Sequence, residues 1–177
     1  GFCIIEDKND HVWYGGPSGL FLIDKKKANA RPEKISPLRI FNLVQFNDSI
    51  LWAGTRKGSM FQINTRTLKV TSLPILPHTD LYVTYIYPDS HQRIWIGTDN
   101  NGLYVSDRNG SIIASYSKEQ LGSNAIKGII EDEMNNIWVG TGSGLCCINP
   151  QMENIDRYTT ADGLPINQFN YSSACKK

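Results

Sequence analysis

No run in this 177-residue chain approaches the roughly 18–20 apolar residues that a membrane-spanning helix needs. The opening Gly1-Phe2-Cys3-Ile4-Ile5 has neither the basic start nor the cleavage site of a signal peptide. The expectation is therefore a chain without direct membrane contact, cut from a longer polypeptide. A basic surplus is missing too: 18 Lys and Arg stand against 17 Asp and Glu, and the one cationic run, Lys25-Lys26-Lys27, reads as a solvated turn. That balance excludes nucleic-acid binding by this chain. The four cysteines, Cys3, Cys146, Cys147 and Cys175, include no C-x-x-C pair, and Cys146 and Cys147 would point to opposite faces of a strand. They read as small buried hydrophobes, with no metal site and no cofactor expected. A Cys3–Cys175 disulfide would require the chain ends to meet in an oxidising compartment.

Against that spare inventory stands a repeat. Val12-Trp13-Tyr14-Gly15-Gly16-Pro17-Ser18-Gly19-Leu20 returns as Leu51-Trp52-Ala53-Gly54-Thr55-Arg56-Lys57-Gly58-Ser59-Met60. It returns again as Ile94-Trp95-Ile96-Gly97-Thr98-Asp99-Asn100-Asn101-Gly102-Leu103 and as Ile137-Trp138-Val139-Gly140-Thr141-Gly142-Ser143-Gly144-Leu145. The four tryptophans of the chain all fall at one phase of this motif, separated by 39, 43 and 43 residues. That period belongs to propeller blades and is too long for leucine-rich repeats.

One period holds four short strands. In the last copy they read as 126–132, 137–141, 145–148 and 155–159, separated by turns rich in Asn, Gly and Pro. Asp24, Asn64, Asp107 and Asn149 end the third strand, where an Asx side chain bonds its own downstream backbone. Gly19, Gly58, Gly102 and Gly144 open it. The second strand is apolar on both faces, as a strand sandwiched between neighbouring sheets must be. Gly15, Gly54, Gly97 and Gly140, two places after each tryptophan, leave room for a neighbouring large side chain. Trp13, Trp52, Trp95 and Trp138 are expected to fill the space between sheets, each burying about 200 Å² and contributing several kcal/mol at about 25 cal/mol per Å² before entropy. Repeat two has a shorter turn at Asn47-Asp48-Ser49 and one extra residue before Asn64, which suggests a bulge.

The fold expected is all-β, a β-propeller, partial or four-bladed, with four-stranded antiparallel blades at about 2–38, 39–81, 82–124 and 125–167. Residues 168–177 would begin a further blade. Propellers close with about four to eight blades. Four copies would either close alone or stand open, with further blades of the same polypeptide or a homodimer of two four-blade arcs covering their apolar faces.

An acidic residue before the turn (Asp7, Asp89, Asp132) followed by Ile-Trp-Val-Gly-Thr-x-x-Gly-Leu resembles the two-component regulator propeller repeats of Bacteroides-type hybrid sensor histidine kinases. Repeat two departs at the acidic position. The stretch Tyr158-Thr159-Thr160-Ala161-Asp162-Gly163-Leu164-Pro165 is similar to the linker between such repeats. The resemblance implies a periplasmic sensor region that detects oligosaccharides and signals to a kinase across the membrane. Kinase, receiver and helix-turn-helix motifs do not occur in the chain, so this piece is expected to bind and transmit.

Ligand contacts in a propeller come from the blade connections and the second-to-third-strand turns. Those positions are Arg39, Arg56, Lys57, His78, Tyr82, Asp99, Asn100, Asn101, Asn124 and Asn167. Amides, an aromatic ring and arginine suit the hydroxyls of an oligosaccharide or another small ligand, and Arg56 with Lys57 suits a sulfate or carboxylate. Asp99-Asn100-Asn101 supplies too few carboxylates for calcium. Two other function classes compete: a protein-interaction scaffold, and a propeller lyase or glycosidase. The enzymatic reading needs convergent acid and base groups, whereas His11 and His91 belong to turns on the face opposite His78, so no catalytic residue is assigned. Replacing Trp95 with Ala is expected to unfold or aggregate the domain, read by circular dichroism and light scattering; a stable variant deficient only in ligand binding would contradict the structural role.

Overall fold

The computed structural model describes residues 3–55, 59–74 and 81–170. Sixteen strands among them form four antiparallel sheets, each in sequence order. The first holds β1 (Cys3–Glu6), β2 (His11–Gly16), β3 (Gly19–Asp24) and β4 (Glu33–Ser36). The second holds β5 (Ile40–Asn47), β6 (Ile50–Thr55), β7 (Ser59–Asn64) and β8 (Val70–Pro74). β9 (Val83–Pro88), β10 (Ile94–Thr98), β11 (Leu103–Ser106) and β12 (Ile112–Tyr116) make the third. β13 (Ile126–Glu131), β14 (Ile137–Thr141), β15 (Leu145–Ile148) and β16 (Ile155–Tyr158) make the fourth. This is a β-propeller fold of four-stranded blades. The chain divides into two compact units, Gly1–Ile86 and Tyr87–Lys177.

In the first unit the tryptophan face of sheet one packs on sheet two. Trp13, Leu20 and Leu22 join Leu43, Leu51, Ala53, Phe61 and Ile63 in one buried cluster. Glycine is needed at two points of close approach. A Cβ on Gly15 would lie 2.6 Å from Ile40 Cγ2, and one on Gly54 would lie 2.8 Å from Val83 Cγ1. In each case the first strand of the following sheet presses on the second strand of the preceding one. In the second unit Trp95, Leu103 and Val105 are buried, as are Ile137, Val139, Cys146 and Ile148. Phe169 lies 3.5 Å from the place a Cβ of Gly140 would take, and Ile40, Val83, Ile126 and Phe169 recur at 43-residue intervals. Residues 171–177, the rest of the stretch expected to begin a further blade, lie outside the described residues, and Cys175 with them.

A hydrogen bond that the sequence reading did not foresee ties three of the four hairpins to their indoles. The Trp13, Trp95 and Trp138 Nε1–H groups donate to Asp7, Asp89 and Asp132 Oδ2, each at 2.8 Å. The other oxygen of each carboxylate accepts the backbone N–H groups two and four residues downstream, those of Asn9 and His11, His91 and Arg93, and Met134 and Asn136. The turn residue three places after each aspartate, Asp10, Gln92 or Asn135, takes a left-handed φ of 65°, 61° or 63°. A carboxylate that accepts these donors both closes the hairpin and sets the height of the ring between sheets. In repeat two the shortened turn places Asn47 opposite Ile50, and the buried Trp52 Nε1–H has no partner among the described residues.

Three expectations need correction. The extra residue of repeat two makes no bulge in its third strand: β6 and β7 pair continuously from Ile50↔Asn64 to Gly54↔Met60. Ser59 takes the strand-opening place held by Gly19, Gly102 and Gly144 in the other repeats, and the turn before it, 56–58, lies outside the described residues. Bulges fall instead at Leu20/Phe21, Ile40/Asn42, Gln45/Asn47, Val105/Ser106 and Ile126/Gly128. Trp138 is half-buried rather than fully enclosed, its ring stacked on Tyr158 at 5.7 Å. The connection into the fourth sheet contains one helical turn, α1 (Lys118–Leu121), bounded by Ser117 and by Gly122 at φ 80°.

The Asx residues after the third strands do open the turns. Asp24, Asn64, Asp107 and Asn149 Oδ1 accept the N–H groups of Lys26, Arg66, Asn109 and Glu153 at 2.8–3.0 Å. Cys146 is buried and its thiol is pushed up to about 11 by that burial, which keeps it unreactive.

Burial raises the Asp7 and Asp132 carboxyls, but hydrogen bonds led by the indoles of Trp13 and Trp138 outweigh it and hold both below the ordinary carboxylate range. A folded pKa below the unfolded value of about 3.9 contributes stability that is complete above that value and is lost as pH falls through the folded pKa. Urea unfolding followed between neutral pH and pH 2 is expected to show stability declining below about pH 4, and the Asp7→Asn, Asp132→Asn double variant to show a flatter decline. A second comparison isolates the indole bond. Trp95→Phe removes a hydrogen bond to a carboxylate and leaves Asp89 Oδ2 to the Arg93 Nε–H alone, while Trp52→Phe removes none, so the first is expected to cost about 1–3 kcal/mol more in urea denaturation, and equal costs would refute the role given to this bond.

Candidate functional site

The second-to-third-strand turns are built on a common base. Thr55, Thr98 and Thr141, each fully buried at the end of its second strand, donate through Oγ1 to the carbonyl of the residue opening the third, Ser59, Gly102 or Gly144, at 2.7–2.9 Å. Thr98 and Thr141 Oγ1 also accept N–H groups from within the turn, those of Asn101 and Ser143. A β-branched residue with one hydroxyl thus fixes the root of the loop and leaves its tip free to vary. The sequence reading quoted this threonine in the motif without assigning it a role.

In the second unit the structure brings the 99–101 turn beside the connection between repeats three and four. Gly102 N–H donates to the Asn124 carbonyl at 2.9 Å, and Gly142 N–H to that of Ala125 at 3.0 Å. Asn124 Oδ1 is buried and has no protein partner. Asn100 is exposed and Asp99 half-buried on the same turn. The Asn101 side-chain amide donates to the Tyr104 hydroxyl, and burial pushes the Tyr104 phenol upward, so it stays neutral and able to donate. Asn167 stands apart. Its Oδ1 accepts Thr160 N–H at 2.6 Å and its amide donates to Thr160 Oγ1 at 3.3 Å, so its side chain braces the 160–167 loop.

The first unit carries a second group. The Arg39 guanidinium lies 5.1 Å from the centre of the Phe41 ring, and Phe41 meets Tyr82 edge to face at 5.4 Å. Beside them Asn42 Oδ1 is another buried carbonyl oxygen without a protein partner. Phe41, Asn42 and Tyr104 were not singled out from sequence, where an aromatic or amide in a strand reads as packing. Arg56, Lys57 and His78 lie outside the described residues. His11 is buried, with Nδ1 3.0 Å from Asp7 Oδ2, and His91 sits in its hairpin turn beside Ser90. Among the described residues no three His, Cys, Asp or Glu side chains are placed to hold a metal ion.

Comparison with known proteins places the repeat. Residues 78–100 and 120–143 match the family described as two component regulator propeller. These are two-component regulator propeller repeats. The chain is similar to Histidine kinase P4 of Formosa agariphila, 24% identical over 229 aligned positions that take in 94% of this chain and 17% of that protein. Among solved structures it superposes on the extracellular domain assigned to a hybrid two component system of B. thetaiotaomicron, with a TM-score of 0.77, 26% identity, and coverage of 93% of this chain and 23% of that one. A second extracellular domain from the same organism, assigned to a one component system, shares the fold at a TM-score of 0.69 and 24% identity, over 96% of this chain and 22% of its own. The chain thus spans about a fifth of the length of these relatives. No helix among its described residues is long and apolar enough to cross a membrane.

Proposed function

We propose that this regulator propeller segment is a ligand-recognition module in the periplasmic sensor region of a two-component histidine kinase system, and that its ligand is an oligosaccharide or a comparably polyhydroxylated small molecule. The similarity to an extracellular domain of a hybrid two component system supports the setting. The observation that carries the ligand class is the side-chain Oδ1 of Asn124, buried beside the 99–101 turn with no donor among the described residues. A buried acceptor with no partner in its own protein is costly and calls for a donor from water or ligand. A sugar hydroxyl supplies one donor and takes one bond in return, so Asp99, Asn100 and the neutral Tyr104 would complete the set. Arg39 with Phe41 and Tyr82 offers a stacking surface of the kind sugar rings use. Occupancy of these loops would be reported to the kinase through the repeats, as the sensor reading requires.

Isothermal titration calorimetry of the chain against a panel of glycan oligosaccharides tests this. The expected result is binding without cleavage, weakened roughly five- to hundredfold by Asn124→Ala, the equivalent of about 1–3 kcal/mol for one buried hydrogen bond. The same substitution is expected to leave the urea midpoint nearly unchanged, because it removes an unsatisfied acceptor. Product formation would assign a glycosidase or lyase, and binding indifferent to Asn124 would move the site elsewhere.

A further inference from the structure

Two asparagines in the chain precede glycine, Asn101–Gly102 and Asn109–Gly110, and they flank a single strand, β11. A glycine after asparagine leaves its backbone nitrogen open to the side-chain amide carbon, because no Cβ stands in the way. That nitrogen can attack Cγ, closing a five-membered succinimide and expelling the side-chain nitrogen as ammonia. Water then adds at either imide carbonyl and yields aspartate or isoaspartate. The reaction needs no oxidant and no enzyme. What the fold decides is whether the side chain and the glycine N–H are able to leave their partners.

At Asn101–Gly102 both are held. The Asn101 side-chain amide donates to the Tyr104 hydroxyl and its backbone N–H to Thr98 Oγ1 at 2.9 Å. Gly102 is buried and donates its N–H to the Asn124 carbonyl at 2.9 Å, in the connection that leads to sheet four. Freeing this pair means parting the turn from that connection. At Asn109–Gly110, by contrast, every bond is local. Asn109 is exposed and Gly110 half-buried. The Gly110 N–H donates to the Asp107 carbonyl at 3.1 Å, and the Asn109 and Ser111 N–H groups donate to Asp107 Oδ1 at 2.8 and 2.9 Å. Among the described residues the Asn109 side chain bonds only to Asp107 of the same turn. Fraying of this one turn releases both reacting groups and breaks no hydrogen bond to another sheet.

We propose that Asn109 is a site of spontaneous deamidation in the folded protein, and that the fold protects Asn101 from the same reaction. Modification of a transiently opened segment follows the free energy of opening it. The two asparagines therefore differ by the gap between a frayed turn and a broken contact with the next connection. Conversion at 109 places a second carboxylate beside Asp107, and isoaspartate adds a methylene to the main chain of the turn. Both changes fall at the end of β11 remote from the 99–101 loop. Conversion at 101 would instead put a carboxylate against the Tyr104 hydroxyl, on the turn that carries Asp99 and Asn100.

Peptide mass mapping of the folded chain, held for days in mildly alkaline buffer beside a urea-unfolded sample, tests this without any ligand. The expected result is acid in place of amide at Asn109, as a mixture of aspartate and isoaspartate, with Asn101 converting roughly tenfold more slowly. In urea the two asparagines are expected to convert within about threefold of each other, because the bonds that separate them are gone. Asn109→Gln is expected to abolish the product, since a six-membered imide closes far more slowly. Asn109 intact in the folded chain, or Asn101 converting as fast, overturns the proposal by showing that the 107–111 turn is no easier to open. A gap undiminished in urea overturns it as well, since flanking residues rather than the fold would then set the order.

Discussion

The hydrogen bond from an indole N–H to an aspartate six residues earlier is the contact on which the architecture turns. A tryptophan is wanted between sheets for its area, but its N–H cannot be buried without an acceptor at modest cost. Asp7, Asp89 and Asp132 supply that acceptor from the hairpin leading into the tryptophan's own strand, while the second carboxylate oxygen closes the hairpin. One side chain therefore couples a local event, the turn, to a long-range one, the stacking of sheets. The left-handed residue in each of these turns is the conformational cost of that coupling, since only a tight hairpin brings the carboxylate under the ring.

Repeat two shows which part of this device is indispensable. Its turn is shorter, its aspartate is missing and the Trp52 N–H is stranded, yet the ring is as fully buried as those of Trp13 and Trp95. Filling between sheets therefore outranks the hydrogen bond. The carboxylate refines a position that apolar burial and the pressed glycines, Gly15 and Gly54, have already set. The threonines at the ends of β6, β10 and β14 do the corresponding work at the loop side, holding each turn by its root. With both ends of the second strand fixed in this way, side chains at positions 99–101 and 124 can vary without touching the core. The recognition chemistry proposed for this segment would sit there for that reason.

The repeat period was legible because it is carried by rare residue types in register: tryptophan, and a glycine two places on. The last repeat's strand boundaries followed to within a residue, since polar turns punctuate them. The indole–carboxylate bond was not legible, although the aspartates stood out, because nothing in a spacing of six says that a hairpin folds the two together. The register of repeat two was misread for a related reason. A glycine marks where a turn ends only when the turn length is constant, and there Ser59 opens the strand instead. Sequence counted Asn124 and the 99–101 turn among the loop positions of one face without pairing them, and the bond that joins them, from the Gly102 N–H to the Asn124 backbone carbonyl, leaves no signal in spacing. It could not tell that Asn167 braces its own loop, or that Asn42 and Asn124 each hold a carbonyl oxygen without a donor, because satisfaction of a buried group is a property of three-dimensional neighbours.

The half-buried state of Trp138 follows from the same logic. Trp13, Trp52 and Trp95 are fully enclosed, whereas the fourth ring relies on Tyr158 stacked against it and on Phe169 seated at Gly140. At about 25 cal/mol per Å², leaving some tens of Å² of an indole of about 200 Å² in water forgoes on the order of 1 kcal/mol, and the half-buried Leu145 and Cys147 add to the deficit. Phe169 reduces it without removing it, because one ring against one glycine covers the inner edge of the sheet and leaves the tryptophan's own position only partly covered. The periodic phase of Phe169, 43 residues after Ile126, marks it as the element that in an inner repeat would belong to the next sheet. A repeat built on pressed glycines and enclosed indoles thus depends on the element that follows it for the burial of its tryptophan face.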